Sequence, residues 1–340
     1  MMSNNSKKIL VLGGTGAMGV YLVPELAALG YQVHVVSLDQ MDNTDPKITH
    51  TQANAKDDSF LRELLEHRYD AIVDFLIYST TEFVARYELL LANTDHYIFL
   101  STYRVYANSA TPIKETSFRL LDTSDDREFL ATEDYALYKA RQENILMFSR
   151  FKNWTIVRPA ITYSKTRFQL VTLEANPFIY RAMKKKPILL PKEALPVQAT
   201  MSWGSDVARL LSRLVLNPIA LREVYTLSTS EHHPWEEVAN YYQELIGLEY
   251  IAVDTETYLG LFGATLAKGG ARYQLIYDRC FKRVIDNSKV LAATGLTQAD
   301  FTPLRKGLEK ELTALLKNNG WMAWNENSLN EKMDAFLRER

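Results

Sequence analysis

Short apolar runs and longer segments with helical apolar spacing alternate through the first 160 residues. Ile9–Leu12, Gln32–Ser37, Ala71–Ile77, Tyr97–Leu100 and Thr155–Arg158 read as strands. Between them, Met18–Leu29, Asp58–Glu66, Thr80–Leu91 and Glu133–Arg150 read as helices. This rhythm predicts an α/β fold, a doubly wound parallel sheet with helices on both faces. Beyond residue 165 the rhythm changes. Prolines 177, 187, 191 and 196 interrupt a stretch that carries the basic run Lys184–Lys186, read as a solvated helix end. A helix at Ser205–Leu216, a strand at Glu223–Ser228 and a helix at Trp235–Ile246 follow. Then come a glycine-containing loop around 260–271 and a long amphipathic C-terminal stretch. The expected division is a sheet domain over residues 1–164, rejoined by 202–228, and a smaller α+β domain from 165–201 and 229–340.

Glycine placement gives the first strand a purpose. Gly13-Gly14-Thr15-Gly16-Ala17-Met18-Gly19 follows that strand and runs into the first helix. Glycines at 13, 16 and 19 suit a dinucleotide turn: one allows the tight bend, one the approach of the pyrophosphate, one the packing of helix on strand. The helix N-terminus then offers amides and a positive dipole end to phosphates. A plain glycine-rich turn is the alternative; the flanking strand and helix favour the cofactor. The second strand ends Ser37-Leu38-Asp39, where an acidic group would meet ribose hydroxyls, and no basic residue follows until Lys47. NAD is therefore expected over NADP, with Asp39 as a solvated turn residue the competing reading.

Composition mainly excludes. A formal charge of -2 supplies no overall field for nucleic acid or an acidic membrane. One cysteine, Cys280, is incompatible with an internal disulfide framework and with a cysteine-rich zinc site, and the six histidines show no metal-ligand spacing. No stretch approaches the ~20 apolar residues of a membrane span, and Ile9–Leu12 is too short for a signal-peptide core. A cytoplasmic protein with no metal, no nucleic acid and no membrane partner is expected.

The fourth apolar run leads into Ser101-Thr102-Tyr103-Arg104-Val105-Tyr106, and downstream Tyr135-Ala136-Leu137-Tyr138-Lys139 opens a helix with Tyr135 and Lys139 on one face. A phenol ionises near ~10, too high for a base at neutral pH. A neighbouring ammonium favours the phenolate, and the Thr102 hydroxyl can bond the substrate oxygen whose proton the tyrosine handles. Tyr-x-x-x-Lys alone is a weak motif; behind a glycine loop and a Ser-Thr turn it is a strong one.

With these elements the chain resembles an extended short-chain dehydrogenase/reductase of the NAD-dependent epimerase/dehydratase family, as a divergent member. That resemblance implies a Rossmann-type cofactor domain and members that mostly act on nucleotide sugars. Gly13–Gly19 resembles the family's Gly-x-x-Gly-x-x-Gly, and Asn54, in Ala53-Asn54-Ala55-Lys56-Asp57, stands where an Asp usually approaches adenine. Pro112–Glu115, Glu143, Val157-Arg158-Pro159, Asp206-Val207-Ala208 and Asp286–Lys289 match further elements. The resemblance implies catalytic roles for Thr102, Tyr135 and Lys139. Around the cofactor it places Gly13, Thr15, Gly16, Ala17, Met18, Gly19, Ser37, Asp39, Asn54, Ala55, Phe75, Leu76 and Pro159, together with Tyr135 and Lys139. A homodimer packed through helices such as Thr80–Leu91 and Glu133–Arg150 is also implied.

Some positions depart from the family pattern. Asp74-Phe75-Leu76-Ile77 replaces a run of small residues with bulkier ones, Ile161 replaces an asparagine, and Ala199–Gly204 lacks the arginine that commonly meets nucleotide phosphates. Tyr103 and Arg104 follow Thr102 where sugar dehydratases carry acidic residues, which disfavours dehydration. Tyr103, Arg104 and Arg272 are the candidate substrate contacts, with Arg279 and Arg283 as further replacements for the missing arginine. Trp321, Trp324, Leu329, Met333 and Phe336 are expected to pack on their own domain. The leading expectation is a nucleotide-sugar epimerase. The alternatives are net oxidation or reduction of a sugar or other carbonyl compound, and a non-catalytic NAD sensor or RNA- or protein-binding member.

Overall fold

Seven parallel strands form the central sheet: β1 (Lys8–Leu12), β2 (Gln32–Ser37), β3 (Ile48–Gln52), β4 (Tyr69–Asp74), β5 (Thr94–Leu100), β6 (Trp154–Pro159) and β7 (Glu223–Leu227). Their order is β7-β6-β5-β4-β1-β2-β3, so the chain reverses direction across the sheet between β1 and β4. In the computed structural model the described residues are 6–263, 269–325 and 327–339. Five residues of the expected 260–271 loop, 264–268, lie outside them.

Alternation along β1 sorts its side chains to two cores. Ile9 and Val11 join Val33, Val35, Ala71 and Val73 on one face, covered by α1 (Gly19–Ala28) and by helix Gly204–Leu214. Leu10 and Leu12 face the other side with Ile72, Tyr97 and Phe99, under α2 (Asp58–Glu66) and the pair α3 (Thr80–Val84) and α4 (Tyr87–Ala92). The doubly wound architecture is as expected. Three details differ. The edge strand β3 was not anticipated, because of its five residues only Ile48 is buried. The third predicted strand stops at Asp74, where its carboxylate accepts the Leu76 N–H at 3.0 Å and turns the chain. The predicted helix Thr80–Leu91 is broken at Arg86, which turns inward beneath the Tyr78 ring and pairs with Asp58 at 3.1 Å.

Helix α5 (Tyr135–Met147) is followed by α6 (Gly204–Leu214), α7 (Trp235–Ile246), α8 (Leu304–Lys317) and α9 (Ser328–Arg338). A third apolar core gathers Phe178, Trp235, Tyr242, Leu308 and Met333, most of it from residues after 160. Trp321, Trp324, Leu329 and Phe336 pack against it, so the C-terminal aromatic stripe serves its own chain. Strand Ile161–Tyr163 pairs with Met201–Trp203 and ties the later residues to the end of β6. Among the described residues no helix is long and apolar enough to cross a membrane.

Candidate active site

The glycine loop lies at the carboxyl end of β1, at the crevice that the strand-order reversal opens. Gly13 sits at φ +76° and donates its N–H to the Val36 carbonyl at 2.8 Å. A Cβ on Gly19 would stand 2.3 Å from the Gly14 carbonyl oxygen, so only glycine lets α1 start this close to β1. Gly204, outside the glycine motif, is required for the same reason at the start of α6: its Cβ would stand 2.8 Å from the Ala17 carbonyl. Phe75 and Leu76 border the loop at 3.4 and 3.3 Å from where a Gly13 Cβ would be.

The ribose end resolves into distinct roles. Ser37 is buried and bonds both the Asp39 carbonyl, at 2.8 Å, and His50, at 2.9 Å. Asp39 is exposed and accepts from Thr15 Oγ1 at 3.3 Å, which ties the acidic residue to the phosphate loop. Lys47 donates to the Ala27 carbonyl at 3.1 Å instead of facing the loop. Asn54 is exposed with its carbonyl oxygen on the Lys56 N–H, and Ala55 is buried beside it. Loop, acidic group and a Lys47 turned away from the ribose end together fit NAD.

The reacting end is built by two elements. After β5, Ser101 and Thr102 lead into a tight turn at Tyr103–Val105, whose Arg104 N–H bonds Thr102 Oγ1 at 3.2 Å. Helix α5 starts at Tyr135 because Asp134 caps it, accepting the Ala136 N–H at 2.9 Å. Two turns on, buried Glu143 accepts from Ser101 Oγ at 2.5 Å, from Arg158 at 2.8 and 2.7 Å, and from Arg119 at 3.1 Å. This carboxylate bolts the helix that carries Tyr135 to the strand end that carries Thr102.

Charge around the phenol differs in detail from the expectation. Lys139 Nζ donates to the Leu100 carbonyl at 2.7 Å and lies 4.6 Å from the Phe99 ring centre. Burial pulls its ammonium down to about 8, against the raising influence of Asp74 and Glu143. The Arg104 guanidinium stands 5.3 Å from the Tyr135 ring centre. Burial pushes the Tyr135 phenol above its ordinary value; Arg104 first, then Arg167, then the Thr102 hydroxyl oppose it. The cations that favour its phenolate form are thus arginines.

Met18, Thr102, Tyr135 and Pro159 line one cavity of about 360 Å³, where the glycine loop meets the end of β6. Tyr103 reaches it too, though its hydroxyl is committed to buried Asp278 at 2.6 Å. Arg104 lines the wall. Arg272 is not among the lining residues: it is half-buried and pairs with Glu256 at 2.9 Å. Arg283 is buried against the Tyr106 carbonyl at 3.0 Å, whereas Arg279 does face the cavity. The sequence reading missed Arg167 and Gln169, which come from an irregular stretch with no periodicity to mark them.

The family model for the NAD dependent epimerase/dehydratase family matches residues 9–225. The chain is 24% identical over 253 residues, 70% of its length, to the chloroplast stem-loop binding protein of 41 kDa b from Arabidopsis thaliana, and spans 62% of that protein's length. Among solved structures, UDP-glucuronic acid 4-epimerase from Bacillus cereus, in complex with UDP-glucuronic acid and NAD, superposes with a TM-score of 0.66 at 14% identity, covering 91% of this chain and 99% of that one. Bordetella bronchiseptica WbmG, in complex with NAD and UDP, gives 0.65 at 15% identity, covering 92% and 96%. These two similarities concern the fold. The family match spans most of the sheet, the glycine loop, Thr102, Tyr135 and Lys139, and the chain belongs to the NAD dependent epimerase/dehydratase family, with a Rossmann-type sheet.

Proposed function

We propose that the protein epimerises a nucleotide sugar, with Tyr135 as the acid–base group, Thr102 as the partner of the substrate oxygen and Lys139 as the support of the cofactor's ribose. The observation that carries this reading is that Thr102, Tyr135 and Met18 of the glycine-loop region share one cavity wall. NAD supplies a nicotinamide carbon that can take a hydride from the substrate and give it back. The glycine loop would hold its phosphates, Asp39 the adenosine ribose, and Phe75 and Leu76 would flank it. Tyr135 then takes the proton of the reacting hydroxyl at its phenolic oxygen and returns it, while Thr102 keeps the substrate oxygen in place. Residues 165–201 and 229–340 would supply the substrate side. The UDP-containing structural neighbours support a nucleotide sugar. With a net charge of -2 the chain has little to attract the stem-loop named for its plant relative. Exposed Val84 and Phe148, near the ends of α3 and α5, support a homodimer through those helices, and a single cysteine suits the cytoplasm.

Proton NMR of UDP-glucuronic acid incubated with protein and NAD tests this. An epimer should accumulate without lasting change in nicotinamide absorbance; stoichiometric absorbance change would indicate net redox instead. The pH profile gives a second check. Lys139 ionises at a lower pH in the folded chain than the usual 10.5, so carrying its charge opposes folding below pH about 8, and that penalty fades between about 8 and 10.5. Activity should run the other way, with kcat/KM declining as pH rises through about 8 and the ammonium is lost. A flat profile across that range would show that Lys139 works uncharged.

A further inference from the structure

The cavity beside Tyr135 has a one-signed wall: among the described residues lining it are Arg104, Arg167 and Arg279, and no Asp, Glu, Lys or His. The three arginines are differently committed. Arg279 spends its donors on the Val171 carbonyl at 2.7 Å, on Gln169 and Tyr103 at 3.3 Å, and on Asp278. Arg167 reaches Glu174 at 3.1 Å, with its side chain 41% exposed. Arg104 is only 12% exposed, yet its guanidinium makes no side-chain hydrogen bond among the described residues. Asp278 and Asp134 lie 3.4 and 3.6 Å from it, near enough to steady the charge but outside bonding geometry, and its buried Nε has no hydrogen-bond partner. A guanidinium has five N–H donors and a planar fork that matches carboxylate or phosphate. The two terminal nitrogens of Arg104 are not among the sealed, unpartnered atoms and make no hydrogen bond among the described residues, so they are the donors that an acceptor arriving from the cavity would meet.

We infer that Arg104 is the anchor for an anionic group on the substrate's sugar ring, a carboxylate or a phosphate held beside the reacting hydroxyl. This rests on the reading of Tyr135 as the acid–base group, because Arg104 stands over that ring and places the anion next to the carbon that reacts. The substrate is then an acidic sugar, and its anion is separate from any nucleotide diphosphate. That separation accords with Ala199–Gly204, which offers no arginine for a diphosphate.

Calorimetric titration of the NAD-loaded protein with D-glucuronate, D-glucose 6-phosphate and D-glucose tests the inference and tells carboxylate from phosphate. One or both acids should bind at least about tenfold more tightly than D-glucose, and Arg104→Gln should remove that preference, since hydrogen bonds to charged groups are worth ~1.5–3 kcal/mol. Arg104→Lys should restore part of it, and unchanged NAD affinity in both variants shows that the fold is kept. The inference is overturned if neither acid binds the wild-type protein, if acid and neutral sugar bind alike, or if Arg104→Gln retains the preference. Tyr135→Phe should keep the acid preference while losing turnover. An acid preference in a protein whose Tyr135→Phe variant still turns over would therefore leave the anchor standing and remove the acid–base reading alone.

Discussion

Tyr135→Phe is expected to lower turnover by a factor of roughly 10² to 10⁴, the range that a positioned acid–base group contributes, with NAD affinity changed by no more than about twofold. The phenolic oxygen is the only atom removed, and the ring, which packs edge-on against Tyr138 at 5.4 Å and beneath Arg104, remains. Burial raises this phenol above its ordinary value. Arg104, Arg167 and Thr102 reduce that penalty without cancelling it. Steady-state rates and NAD titrations on both proteins decide the matter. Retained turnover would remove Tyr135 from the chemistry, and lost NAD binding would show that the substitution acts through the fold.

Glu143→Gln carries the largest expected effect on stability. The side chain keeps its shape and loses its charge, leaving Arg158, 2% exposed, buried without a counter-charge. Breaking a buried pair in this way costs about 3–5 kcal/mol, which corresponds to a fall in Tm of roughly 5–15 °C for a chain of this class. Burial would raise the Glu143 pKa, but Arg158, Ser101 and Arg119 together hold it below the usual 4.5. A depressed carboxylate stabilises the fold above its unfolded-state value, and the contribution disappears as pH falls through the folded-state value. The Tm gap between wild type and Glu143→Gln should therefore be full at neutral pH and close in acid below about 4.5. A gap that persists unchanged in acid would mean that lost packing, and not charge, carries the effect. Because Glu143 also joins α5 to Ser101, turnover should fall with stability, unlike in Tyr135→Phe.

Local signals made much of this fold legible. Asp58–Glu66 starts and Trp235–Ile246 ends where expected because these boundaries are written in adjacent residues: Asp57 caps the first by accepting the Phe60 N–H, and Gly247, at φ +67°, closes the second. The glycine loop was legible for the same reason, as spacing dictated by a close backbone approach. What escaped depends on distant contacts. Strand β3 has too few apolar residues to stand out and is held by its pairing to β2. The break at Arg86 arises from Tyr78 and Asp58, neither adjacent in sequence. Arg167 and Gln169 reach the cavity beside a hairpin whose Val171 adopts φ +52°, a conformation that a β-branched residue does not announce in sequence. Arg272, chosen for its nearness to a glycine-containing loop, shows the limit of proximity in sequence as a guide to a cleft.

Hydride transfer within a single site is most directly tested by isotope. UDP-glucuronic acid carrying deuterium at the carbon that inverts, incubated with the protein and NAD in ordinary water, should give an epimer that retains the label. An epimer that has lost its deuterium to solvent would contradict hydride transfer and point to proton abstraction from carbon.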